Sequence, residues 1–246
     1  MDNPFSLASK SILVTGASSG IGRAISLSCA KAGALLVVNG RNEERLQETL
    51  DIIGSRQHEK MVADVTDIEK LSELVKTLPS FDGVVLCAGI GQTTPVQNVK
   101  FEKMEAVFRT NAFANIQLLQ LLIKAKKINK GGSVVMISSI ASHKPYFGNA
   151  VYSASKGALN SYAKVAAIEL AGRGIRVNCI EPGLIVTDIV TNAGFDETQL
   201  AEFEKTMPLG LGKTDDIANG CVYLLSDAAR WVTGSTLIID GGQTLL

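Results

Sequence analysis

Residues 11–33 read Ser11-Ile12-Leu13-Val14-Thr15-Gly16-Ala17-Ser18-Ser19-Gly20-Ile21-Gly22-Arg23-Ala24-Ile25-Ser26-Leu27-Ser28-Cys29-Ala30-Lys31-Ala32-Gly33. The run Ser11–Thr15 predicts a short strand, and Ile21–Ala32 predicts a helix with Gly33 as its C-cap. Gly16, Gly20 and Gly22 lie between the two. Glycines there let the backbone turn tightly and approach a pyrophosphate, and the helix start offers unpaired N–H groups and the positive end of its dipole. A strand, a glycine-rich turn and a helix in the first βαβ unit predict a dinucleotide site at Gly16, Ser18, Ser19, Gly20, Ile21 and Gly22. A Walker-type loop is excluded, because no Lys-Ser or Lys-Thr pair follows the glycines.

The alternation continues outward from this unit. Further strands are expected at Leu35–Asn39, Lys60–Ala63, Gly83–Cys87, Ser133–Ser138, Arg176–Ile180 and Thr236–Ile239. Helices are expected at Glu43–Ile53, from a Thr66/Glu69 capping box to Lys76, from Phe101 to Lys127, at Tyr152–Ala171 and at Asp215–Leu225. Strands that are apolar throughout and separated by helices imply a parallel sheet covered on both faces. The expected fold class is therefore α/β: a single doubly wound Rossmann-fold domain over residues 1–246, with a parallel seven-stranded sheet and helices on both faces. Ligands of such sheets lie at the carboxyl ends of the strands, where each motif below falls.

Composition removes other classes. The 246 residues carry 24 basic and 24 acidic side chains, so no basic surface is built for nucleic acid. No apolar run approaches the roughly 18 residues of a membrane span, and residues 1–10 show no signal-peptide pattern. Cys29, Cys87, Cys179 and Cys221 form no C-x-x-C pair and sit in apolar surroundings, as buried free thiols of a reducing cytoplasm would. His58 and His143 have no partner at metal spacing and read as surface or loop residues, so no metal site is expected.

Tyr152-Ser153-Ala154-Ser155-Lys156 carries the sharpest chemical signal. Tyr and Lys at i and i+4 share one helix face. An isolated phenol with a pKa of about 10 is a poor acid–base catalyst at neutral pH. A nearby ammonium favours the phenolate and lowers that value. Alone, the pair would be ordinary helix surface. Ser139, just past the fifth strand, and Asn111, in the preceding long helix, complete a set of four.

The spacing Gly16-x-x-x-Gly20-x-Gly22, with Asn111, Ser139, Tyr152 and Lys156, resembles the short-chain dehydrogenase/reductase family in its shorter single-domain branch. The resemblance covers essentially the whole chain and is nearest to 3-oxoacyl-(acyl-carrier-protein) reductases, through Ser138–Ala141, Tyr152–Ala158 and Val232–Gly242. It implies an NAD(P)-dependent enzyme acting on CH–OH and C=O groups. In it Tyr152 gives a proton to the carbonyl oxygen, Ser139 orients that oxygen, Lys156 tunes Tyr152 and holds the nicotinamide ribose, and Asn111 supports Lys156. Ser138 and Ser142 are neighbouring hydroxyls, but the spacing selects Ser139.

The rest of the cofactor site follows from the same resemblance. Gly40 stands at the acidic position after the second strand and Arg41 follows it, which implies NADP(H) in preference to NAD(H). The competing reading pairs Arg41 with Glu43 or Glu44 on the surface. Ser19 stands where many NADP-dependent relatives carry a second basic residue. Asp64 and Val65 resemble the adenine contact. Cys87-Ala88-Gly89 resembles the family's Asn-Ala-Gly, and Cys for Asn is expected to loosen that turn. Pro182, Gly183, Ile185 and Thr187 resemble the nicotinamide-contacting segment. Residues 188–211 are the expected substrate lid; Phe195, Phe203, Met207 and Leu209 give it an apolar lining but equally suit two short packed helices.

The expected substrate is a small-molecule or acyl-thioester carbonyl. Alternatives are a sugar, polyol or other ketone dehydrogenase of the same family, or an NADP-sensing protein without catalysis. A nucleotide-sugar epimerase is disfavoured by the glycine spacing. Docking of a carrier protein would need basic residues near the cleft, with Lys126, Lys127, Lys130, Arg173 and Arg176 as candidates. The resemblance further implies a cytoplasmic homotetramer without nucleic-acid or membrane partners, its helices meeting through small faces such as Ala163, Ala166, Ala167 and Leu170.

Overall fold

Neighbouring residues of a strand send their side chains to opposite faces, so a sheet covered on both sides needs two apolar sets interleaved. The chain supplies them. Leu13, Val84, Met136 and Cys179 join one core, and Val14, Val85, Ile137 and Ile180 join the other. The computed structural model describes residues 3–54, 57–187 and 197–246. Its strands are β1 (Ser11–Val14), β2 (Leu35–Gly40), β3 (Glu59–Val62), β4 (Phe81–Leu86), β5 (Ile128–Ile137), β6 (Arg176–Pro182) and β7 (Thr236–Ile239). They form one parallel sheet in the order β3-β2-β1-β4-β5-β6-β7, as the expected fold class requires. The chain runs outward from β1 to β3, then returns to β4 on the other side of β1. The crevice between the carboxyl ends of β1 and β4 is the switch point at which such sheets bind ligands.

The helices are α1 (Gly20–Lys31), α2 (Glu43–Ile53), α3 (Ile68–Thr77), α4 (Phe101–Phe108), α5 (Ala114–Lys124), α6 (Ala150–Leu170), α7 (Glu197–Thr206) and α8 (Thr214–Leu225). Leu71 of α3, Leu118 and Leu122 of α5 and Leu159 of α6 cover one face. Ile25 of α1, Leu46 of α2 and Ile217 of α8 cover the other. Each fully buried side chain of this size contributes on the order of 1.5–3 kcal/mol.

Three local expectations are corrected. Asp67, not Thr66, caps α3, accepting from Lys70 N at 3.0 Å, because the Thr66 hydroxyl is already donated to Asp64 at 2.8 Å. The long helix expected over 101–127 is interrupted by a single π-helical turn, Arg109–Phe113, and stops at Lys124. Ala163, Ala166, Ala167 and Leu170 pack into the chain's own core rather than outward, and α6 instead exposes Val165 and Ile168. His58 lies in the loop before β3, as expected, and there its Nδ1 accepts from Leu36 N at 3.1 Å, tying the entry of β3 to β2. Residues 188–196 of the expected lid, Phe195 among them, lie outside the described residues. Beyond them Met207 is buried and Leu209 is exposed.

Candidate active site

The glycine turn is built by close backbone approach. Gly16 and Gly20 hold φ values of +68° and +52°, which disfavour any side chain. A Cβ on Gly22 would lie 2.2 Å from the Gly16 carbonyl oxygen. Ser19 precedes α1 and makes no side-chain cap, and the first residues of the helix, Gly20, Ile21 and Gly22, line the cleft. Donors around a side-chain-free turn fit a pyrophosphate. The turn is also fastened to α2. Arg23 donates to Ser18 O at 2.6 Å and Arg45 O at 3.2 Å, and Thr49 donates to Ala17 O at 2.9 Å.

The strand ends open onto one cleft of about 400 Å³. Every residue expected to hold the cofactor lines it: Gly16, Ser18, Ser19, Gly20, Ile21, Gly22, Arg41, Asp64, Val65, Cys87, Ala88, Gly89, Tyr152, Lys156, Pro182, Gly183, Ile185 and Thr187. At the end of β2, Arg41 is 72% exposed and pairs with Asp64 at 3.6 Å. It pairs with neither Glu43 nor Glu44; Glu43 instead holds Lys60 at 2.7 Å. Against the cost of burial, two Thr66 bonds and Arg41 hold the Asp64 carboxyl below its usual range. The β4 turn is not loosened by Cys87, because the Thr15 hydroxyl accepts from both Cys87 N and Ala88 N, at 2.9 and 3.2 Å. Burial pushes the Cys87 thiol up to about 11, so it stays neutral.

Past β5 the three serines separate. Ser138 donates to Lys156 O at 3.0 Å, Ser142 donates to Glu181, and Ser139 lines the cleft beside the Tyr152 phenol. Tyr152 and Lys156 stand one turn apart on α6, with the ammonium 5.8 Å from the phenol ring centre. Lys156 is 5% exposed and donates to Ile137 O at 2.7 Å. Burial pushes the half-buried Tyr152 phenol up to about 12 against the opposing influence of the Ser139 hydroxyl, and pushes Lys156 down to about 8. The lowering of Tyr152 expected from Lys156 is not found: burial raises the phenol, and the Lys156 ammonium is turned to the Ile137 carbonyl.

Asn111 lies outside the cleft lining, fully buried in the π-helical turn. Its side chain accepts from Ile90 N at 2.7 Å and donates to Ile90 O at 3.0 Å and Ser155 Oγ at 3.1 Å. It thus clamps the loop after β4 onto α6 without touching Lys156. π-Helical turns of this kind recur at functional sites.

Several lining residues escaped the sequence reading: Arg45, Gln92, Lys144, Tyr146 and Gln243. Lys144 and Tyr146 fall between Ser139 and Tyr152, so proximity along the chain was a usable signal. Gln243 had none, since it reaches the site by accepting from Leu184 N at 2.9 Å, 59 residues away. The basic residues proposed for carrier docking sit elsewhere. Lys127 donates to Leu78 O, and Arg173 and Arg176 to Ile128 O and Leu224 O, at the amino ends of the strands. That is the opposite end of the sheet from this chain's cleft. Among the described residues no cluster of His, Cys, Asp and Glu could hold a metal, and no helix is long and apolar enough to cross a membrane.

Comparison with known proteins agrees with the geometry. A family model described as enoyl-(acyl carrier protein) reductase matches residues 16–244. The chain is 34% identical over 241 residues to a 3-oxoacyl-(acyl-carrier-protein) reductase FabG of Rickettsia felis, covering 98% of this chain and 99% of that one. It is also 34% identical over 250 residues to a glucose 1-dehydrogenase of Gluconobacter oxydans, covering 97% and 93%. Among solved structures, a Beutenbergia cavernae protein described as an NAD(P)-dependent gluconate 5-dehydrogenase, with NADP bound at low occupancy, superposes with a TM-score of 0.92 at 34% identity. That match covers 99% of this chain and 100% of the other.

Proposed function

The chain belongs to the short-chain dehydrogenase/reductase family and is an NAD(P)-dependent oxidoreductase; from that premise we propose that it reduces a ketone to a secondary alcohol with NADPH. The observation that carries the reading is that Ser139, Tyr152 and Lys156 line one cleft, with the Lys156 ammonium 5.8 Å from the Tyr152 ring centre. NADPH, when bound, supplies a hydride to the carbonyl carbon. The chain's own residues handle the oxygen. Ser139 donates to it and fixes its place beside Tyr152. Tyr152, protonated throughout the neutral range, delivers its proton as negative charge builds on that oxygen. The Lys156 ammonium stabilises the phenolate left behind and offers donors to the nicotinamide ribose. Asn111 keeps the Gly89–Ile90 loop against α6, which fixes the wall of the cleft beside Lys156.

Preference for NADP(H) is supported by two cations. Arg41 and Arg45 both line the cleft beside Ser18 and Ser19, and Arg45 takes the part that Ser19 leaves open. Both guanidinium groups suit a 2′-phosphate.

A 3-oxoacyl thioester is the leading substrate class, supported by the names of the family model and the Rickettsia relative. One observation favours a second class, a hydroxylated ketone of sugar or polyol type. Gln92 lines the cleft with both amide atoms buried and without a hydrogen-bond partner among the described residues. An unmade buried hydrogen bond costs about 1–3 kcal/mol, and a substrate hydroxyl both donates and accepts. Following NADPH absorbance with a panel of 3-oxoacyl thioesters, keto sugars and plain ketones decides between them. Tight NADPH binding with no turnover on any member would instead favour a cofactor sensor.

The same reading includes a cytoplasmic homotetramer. The four free cysteines fit a reducing compartment, and the outward Val165, Ile168 and Phe113 offer apolar surface for subunit contact. Light scattering after size exclusion tests it, and a monomer overturns it.

A further inference from the structure

We infer that Glu181 is a positioning residue for Ser139, holding the turn that bears Ser139 against the helix that bears Tyr152. The inference rests on the reading that Ser139 and Tyr152 handle the carbonyl oxygen.

Glu181 is the one carboxylate among the buried polar side chains described, and it lies outside the cleft lining. Removing a carboxylate from water costs several kcal/mol unless donors replace the water. Three donors converge here. Ser142 donates its hydroxyl to Oε1, Asn160 Nδ2 donates to the same oxygen at 2.6 Å, and His143 Nδ1 meets Oε2 at 3.1 Å. A further bond, Asn160 Nδ2 to Ser142 Oγ at 3.1 Å, closes a triangle. Asn160 Oδ1 has no partner among the described residues, so the amide is held for its donors alone.

The partners come from the two elements that form the candidate site. Ser142 and His143 end the short turn that starts at Ser139. Within it Ser142 N donates to Ser139 O at 3.0 Å, and Ala141 N donates to Ser139 Oγ at 3.2 Å. With its oxygen accepting from Ala141, the Ser139 hydroxyl is held by the turn itself, so its place follows that of the turn. On α6, Tyr152, Lys156 and Asn160 recur every four residues along one face. One carboxylate on β6 therefore bonds the end of the Ser139 turn and the third residue of the Tyr152 stripe together. Moving the turn relative to α6 breaks the Glu181 bonds and shifts Ser139 relative to Tyr152 in the same motion. An apolar side chain at 181 would fill the space without setting that distance.

Glu181→Gln tests this, because the amide keeps the shape but turns an N–H₂ toward donors. With saturating ketone and NADPH, kcat is expected to fall about tenfold while NADPH affinity, read by cofactor fluorescence, stays within about twofold. In a Ser139→Ala background the same exchange is expected to cost nothing further. Full retention of kcat, or the same loss in both backgrounds, overturns the proposal. A second readout needs no turnover. In protein labelled with 3-fluorotyrosine, four tyrosines give four ¹⁹F resonances, and Tyr152→Phe identifies that of Tyr152. Glu181→Gln is expected to shift the Tyr152 resonance to its place in Ser139→Ala and leave the other three unmoved; an unmoved Tyr152 signal overturns the proposal. If Glu181→Gln does not fold, Asn160→Ala, which removes one limb of the clamp, is read in the same way. A wild-type protein that reduces no ketone defeats the functional reading, while the fluorine spectrum still decides the role of Glu181.

Discussion

The Ser18 hydroxyl occupies the space into which a side chain at Gly40 would grow: a Cβ built there lies 2.1 Å from Ser18 Oγ and 3.3 Å from Leu46 Cδ2. A carboxylate at this position therefore meets a steric obstacle in the Ser18 hydroxyl. Gly40→Asp is expected to give a less stable protein and not an NADH-preferring one, since overpacking of this kind costs about 1–3 kcal/mol. Removing the obstructing oxygen relieves the clash, so Ser18→Ala with Gly40→Asp is expected to recover the melting temperature and to bind NADH. A Gly40→Asp protein that melts with wild type, by scanning fluorimetry, removes the steric argument.

Arg41 and Arg45 are expected to act on one phosphate. Hydrogen bonds to charged groups contribute about 1.5–3 kcal/mol each. Each single Arg→Ala exchange is therefore expected to raise the NADPH Kd by roughly 10- to 100-fold while moving the NADH Kd little. Isothermal titration with both cofactors checks this. Equal losses for NADPH and NADH would show that neither side chain meets the 2′-phosphate.

What was legible in the sequence was what local pattern controls. The two interleaved apolar sets, the glycine turn and the Tyr152/Lys156 spacing are properties of neighbours in the chain, and the sheet, the cleft and its lining follow from them. What was hidden depends on partners far apart in sequence. The long helix breaks at Asn111 because its side chain is held by Ile90, 21 residues away. The cap moves from Thr66 to Asp67 because Asp64 takes the threonine hydroxyl. Gln243 and Arg45 reach the cleft only through tertiary packing. The basic residues near Lys127 and Arg176 could not be assigned to an end of the sheet until strand directions were in hand.

Tyr152→Phe keeps the ring and removes the acid. Turnover is expected to fall by about 10²–10⁴-fold, the usual worth of a positioned proton donor, with the NADPH Kd nearly intact. Unchanged turnover would falsify the role of the phenol. Ser139→Ala is expected to fall less steeply, because it leaves the proton donor in place while losing its alignment.

The pH dependence separates Tyr152 from Lys156. Burial holds Tyr152 at about 12, so it remains an acid across the neutral and mildly alkaline range, and Lys156, held by burial at about 8, is the group that titrates there. The ammonium stabilises the developing phenolate and the neutral amine does not, so kcat/KM for ketone reduction is expected to fall as pH rises through about 8. Stability moves the other way. In the unfolded chain Lys156 keeps its proton up to its ordinary value of 10.5, so between about 8 and 10.5 the unfolded state binds more protons at this residue. The contribution of Lys156 to stability therefore rises with pH through that window. A falling rate with this group favouring the fold marks a lost charge and not unfolding. Lys156→Arg keeps a cation at all these pH values and is expected to remove the alkaline limb, whatever its absolute rate. A limb that persists unchanged in Lys156→Arg would assign the titration to another group.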